Sequence, residues 1–118
     1  MQYMLMCCFD EQRWGNLPLA QRDGIMRDYE ALVGDLIRSG RYVGGGKLQA
    51  SSSATSIREK NGRPAIPDGP FAETKEQLGG YHLIECADVE EAISIAQRIP
   101  TIPFGGTVEV RAVEEASG

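Results

Sequence analysis

Apolar side chains run without interruption from Tyr3 through Met4, Leu5, Met6, Cys7 and Cys8 to Phe9, and Asp10 and Glu11 end the run. It is too short for a membrane span, which needs about 20 residues, and it reads as a buried first strand. The pattern then changes period. Ile25 and Met26, Tyr29, Leu32 and Val33, and Leu36 and Ile37 recur at the three-to-four spacing of one helical face, predicting a helix from near 19 to 39. Asn16 or a neighbour starts it, Pro18 fits its first turn, and Gly40 closes it.

Residues 41–49 read as a second strand in which Gly44, Gly45 and Gly46 predict a bulge or a close backbone approach. This is not a phosphate loop, because Arg41 stands where the first glycine is required and Leu48 where the hydroxyl is required. Residues 50–53 form a polar connector. Ala54–Lys60 and Arg63–Ile66 flank Asn61-Gly62, the residue pair suited to a type I′ turn, and predict a β-hairpin. Tyr81–Cys86 reads as a strand leading to Asp88, which caps a second helix with Glu91 three residues on. Val89, Ala92, Ile93, Ala96 and Ile99 make the apolar face of that helix, and Pro100 ends it. Thr107–Val113 alternates as a closing strand, and the tail from Glu114 to Gly118 is expected to fray.

With the hairpin set aside, the order is strand, helix, strand, strand, helix, strand. The expected fold is therefore α+β, a ferredoxin-like βαββαβ domain with an inserted β-hairpin, spanning residues 1–118. Two helices cover one face of such a sheet. First-strand side chains of both parities are apolar, so the uncovered face is expected to meet a second copy in a homodimer.

Composition narrows the partners. A net charge of −5 argues against a nucleic-acid grip or an anionic membrane surface. Three cysteines, without Cys-x-x-Cys spacing, suggest neither a disulfide framework nor a zinc site, and the absence of a basic leader before the first apolar run completes a cytoplasmic expectation. One histidine and scattered carboxylates give no metal cluster, and no cofactor motif is present.

The densest stretch is Asp68-Gly69-Pro70-Phe71-Ala72-Glu73-Thr74-Lys75-Glu76-Gln77-Leu78-Gly79-Gly80. Its first residues form a turn, and Phe71 is expected to be a buried anchor. This segment closely resembles the signature of the DGPF subgroup of the YCII-related proteins, and the resemblance extends over most of the chain. It implies a dimeric α+β barrel and a cleft in which a histidine pairs with an aspartate for acid-base or lyase-like chemistry. Asp68 is the counterpart of that aspartate, while Tyr29 stands where many relatives carry histidine. DGPF relatives are also associated with extracytoplasmic-function sigma factors in bacteria, which implies a regulatory partner instead of turnover.

Asp68 and His82 are thus the candidate catalytic pair, each with a plainer reading as a turn residue and a hydrogen-bonded sheet histidine. Tyr29, Phe71 and Tyr81 are candidate ligand contacts, as are Glu73 and Lys75, whose alternative is a solvated loop face. Glu109 and Arg111 share one face of the last strand and are expected between the two subunit sheets, with Arg111 as a further ligand candidate. Trp14 is expected to cover the end of the long helix.

Overall fold

The computed structural model describes residues 1–114; the tail expectation lies largely outside them, at residues 115–118. The elements are β1 (Gln2–Phe9), α1 (Glu11–Asn16), α2 (Leu19–Arg38), β2 (Tyr42–Lys47), β3 (Arg58–Lys60), β4 (Arg63–Ala65), β5 (Gln77–Glu85), α3 (Val89–Ala96) and β6 (Thr107–Ala112). Strands β2, β5, β1 and β6 form one antiparallel sheet in that order, and β3 and β4 pair separately. This is the expected ferredoxin-like order, with the β3–β4 hairpin inserted between β2 and β5.

The helical face of the sheet holds the core. Tyr3, Leu5 and Cys7 are buried there with Ile84 beside them, and α2 and α3 close over them with Leu32, Leu36, Ala92, Ile95 and Ala96, joined by Ile99 just past α3. The α2 pattern splits into two stripes. Ile25, Leu32 and Leu36 enter the interior, whereas Met26, Tyr29 and Val33 stay half-buried and Ile37 is exposed. A helix with an apolar face wider than its core contact leaves a greasy wall beside that contact.

Local chemistry explains the helix ends. Asp10, read only as the end of the first strand, caps the extra helix α1 by accepting from the Gln12 and Arg13 amides. Asp88 caps α3 through the Glu91 amide at 2.9 Å. Glu91 does not complete a reciprocal capping box, because its carboxylate accepts from Arg41 Nε at 2.8 Å and ties α3 to the entry of β2. The α3 face needs correction: Ile95 is buried, whereas Val89 and Ile93 are 42% and 44% exposed, since the strip of so short a helix that meets the sheet cannot bury them all.

The glycine-rich strand is as expected. Its pairing with β5 skips Val43, a bulge, and Gly45 approaches β5 so closely that an added Cβ would lie 2.5 Å from the Tyr81 carbonyl oxygen. At the hairpin tip Asn61 and Gly62 both adopt positive φ, 55° and 77°, the conformation a type I′ turn needs.

Candidate functional site

Helix α2 and the edge strand β2 stand apart, and a cleft of about 640 Å³ opens between them over β1 and β5. Its α2 wall is the second apolar stripe, Met26, Tyr29, Val33 and Ile37. Cys7, His82 and Thr101 form the floor, and Phe9, Trp14, Lys47 and Glu11 stand toward the mouth.

His82 reaches the floor because Leu5 pairs with it across the β1–β5 ladder, so both point to the helical face. Its ring lies 5.9 Å from that of Tyr29 and 6.2 Å from that of Tyr42. Burial lowers the His82 pKa, so the neutral imidazole is favoured. Nδ1 is buried and makes no hydrogen bond among the described residues; Thr101 Oγ1, also buried, meets the Tyr29 hydroxyl without good hydrogen-bond geometry. The Tyr29 pKa is raised, first by burial and then by the adjoining Cys7 thiol, with the Thr101 hydroxyl offsetting this in part. Burial also raises the Cys7 pKa. The floor is therefore a set of neutral donors and acceptors with unused hydrogen-bonding capacity, which in a buried position costs about 1–3 kcal/mol per group until a ligand or water meets it.

Gly45 contributes by having no side chain. The point a Cβ would occupy lies 2.7 Å from the Tyr42 hydroxyl and 3.0 Å from His82 Nδ1, so both groups converge on the strand backbone there. At the mouth, Lys47 Nζ sits 5.9 Å from the Trp14 ring centroid, and Phe9 meets Trp14 edge-on at 6.0 Å. Glu11 accepts from the Ser51 amide at 2.8 Å and the Ser51 hydroxyl at 2.9 Å, so its carboxylate anchors the connector after β2. Trp14 therefore stands at the cleft mouth.

Of the residues singled out from the sequence, Tyr29 and His82 are brought together. Asp68 is exposed on the inserted hairpin and does not line the cleft. Its backbone bridges to Thr55, and the turn is held by Gly69 N–H donating to the Ala54 carbonyl at 2.6 Å and the Ser56 hydroxyl donating to the Gly69 carbonyl at 2.7 Å. The Asp68 carboxylate makes no hydrogen bond among the described residues, and Pro70, two residues on, has no N–H to offer it. Phe71, expected as a buried anchor, is instead 76% exposed, because the hairpin that carries it stands away from the sheet and offers no interior. Glu73 and Lys75 are exposed in the approach to β5. Tyr81 lies on the outer sheet face against Gly46, and Arg111 lies on that same face, 3.0 Å from Glu109 in an exposed ion pair. Tyr42, Lys47 and Thr101 were not anticipated, and only the strand position of Tyr42 before three glycines hinted at a role. Among the described residues no three His, Cys, Asp or Glu side chains are placed to hold a metal ion, and no helix is long and apolar enough to cross a membrane.

A split βαβ sheet carrying two covering helices, an inserted hairpin and a helix-side cleft defines the class as a ferredoxin-like α+β domain. The chain belongs to the YCII-related domain family, whose model matches residues 1–117. It is also 34% identical over 112 residues to an uncharacterised protein of Rhizobium meliloti, an alignment covering 94% of this chain and 90% of that protein.

Proposed function

We propose that the protein binds a small organic molecule in the α2–β2 cleft, with its apolar body against Met26 and Val33 and a polar end at Tyr29, His82 and Thr101. One observation carries this reading: an apolar cleft whose floor, shared with the Tyr29 and Thr101 hydroxyls, holds a buried and unpartnered polar atom, His82 Nδ1. Its volume of about 640 Å³ lies within the range of small-molecule sites, and a few convergent polar groups in an apolar sleeve are their usual makeup. Lys47 at the mouth favours a ligand that also carries a negative charge. Any acid-base step within one chain runs through His82 with Tyr29 as hydrogen-bond donor, since Asp68 is not at the cleft. The working unit in this reading is a homodimer with outer sheet faces opposed, because Met4, Met6 and Leu83 lie on that face, only half-buried in one chain.

The test is fluorescence titration with 1-anilinonaphthalene-8-sulfonate, an anionic amphipathic probe. Wild type is expected to bind it with one site per chain. Val33→Trp, which fills the cleft, is expected to weaken binding by about tenfold or more. Unchanged binding by Val33→Trp sinks the reading.

A further inference from the structure

The inserted hairpin stands apart from the rest of the molecule. A chain of 118 residues folded compactly has a radius of gyration of about 13–14 Å. Here it is 16.3 Å, and β3 and β4 make their close element contacts with each other. The ribbon is nonetheless ordered by its own ladder, running in one register from the Thr55–Asp68 bridge to Lys60 opposite Arg63. That register sets Ile57 across from Ile66, and they are 72% and 62% exposed. A two-stranded ribbon alone in water is marginal at best, and an exposed isoleucine pair adds nothing to it without a covering surface.

Alternation along the ribbon gives it two faces. Ile57, Glu59, Pro64 and Ile66 share one, while Arg58, Lys60 and Arg63 share the other. Pro64 and Pro67 on the returning strand disfavour addition of a further strand at that edge, and the isoleucine face is the apolar surface the ribbon offers. Charge indicates what it docks on. Residues 54–68 contain Arg58, Lys60 and Arg63 against Glu59 and Asp68, so of the chain's 12 basic and 17 acidic side chains, 9 and 15 lie elsewhere. The ribbon is net +1 and the remainder net −6, so the basic face of one copy's ribbon is drawn to the body of another.

We propose that the β3–β4 ribbon is an arm that clasps a second copy of this chain, laying Ile57 and Ile66 against the partner's body. The arm rests on the dimer described above and adds to it a second, separable contact. Ile57 and Ile66 are the residues that seal the contact, and the basic face supplies attraction without being buried.

The test is sedimentation velocity over a range of protein concentrations on wild type, on Ile57→Asp/Ile66→Asp, and on a variant with residues 55–67 replaced by a short glycine-serine link. The double aspartate variant is expected to keep the wild-type circular dichroism and the deletion variant its helical signal, and both are expected to dissociate at least about tenfold more readily, the scale expected when two buried apolar side chains are lost. Photo-cross-linking from Glu59→p-benzoylphenylalanine, in mixtures of isotopically light and heavy protein, is expected to give light–heavy products. A dimer whose dissociation is unchanged in both variants, or cross-links confined to one chain, overturns the arm while leaving the sheet-face dimer standing. A wild type that stays monomeric overturns both.

Discussion

His82 is the only histidine in the chain, and its position on the cleft floor makes stability depend on pH in a definite sense. Burial depresses its pKa in the folded state below the ordinary 6.5, so the unfolded chain binds the proton more readily. The stability contributed by the neutral ring is fully present above pH 6.5 and is lost as pH falls from there through the folded-state value. His82→Gln is expected to flatten that part of the stability profile, measured by urea unfolding between pH 5 and 8; an identical slope in the variant would show that other groups set it. Tyr29, held protonated by burial and by the neighbouring Cys7, is a donor throughout this range. Tyr29→Phe removes that donor and is expected to lower probe affinity roughly threefold to tenfold with little change in folding, as for loss of one buried hydrogen bond. Asp68→Asn, at an exposed position away from the cleft, should leave affinity within about twofold by the same titration.

At the scale of elements, β2 depends on Gly45. An alanine there meets the Tyr81 carbonyl oxygen of the neighbouring strand, which cannot yield as a flexible side chain can. Gly45→Ala is expected to destabilise by about 1–3 kcal/mol and to disturb the Tyr42–His82 corner of the cleft, whereas Gly44→Ala, with open space around it, should be nearly neutral. Comparing the two denaturation midpoints checks this. Leu5→Ala, at a fully buried centre of β1, should cost about 2–5 kcal/mol. Much of this level was legible in the chain. The 3.6 period of α2, the glycine-marked bulge and close approach, and the Asn61-Gly62 turn each have a local cause that the residues state directly. The α3 face was not wholly legible, because Ile93 and Ile95 are equally apolar and only the direction of the sheet chooses between them. Helix α1 was missed because Asp10 looks the same ending a strand as capping a helix.

For the whole molecule, the βαββαβ order was readable because each element carries its own period, and the topology follows from antiparallel neighbours and two one-sided helices. The cleft was readable only in part. Tyr29 and His82 were named, but their meeting depends on the β1–β5 register, and Lys47, Tyr42 and Thr101 join them from segments far apart in the chain. The Asp68-Gly69-Pro70-Phe71 segment, conspicuous in sequence, sits on the arm and away from the cleft of its own chain. If outer sheet faces meet in a dimer, Met6→Lys on that face should promote dissociation while β1 still forms, visible as a halved mass in sedimentation with unchanged circular dichroism. Because the chain has a single histidine, the ring resonances of His82 report the cleft without assignment of any other signal. Following them by nitrogen-15 NMR, against pH and then against added 1-anilinonaphthalene-8-sulfonate, tests the binding reading most directly. The expected result is a titration midpoint below 6.5 and ring shifts that saturate with the probe; a midpoint at or above 6.5, with shifts untouched by a probe that binds elsewhere, would contradict it.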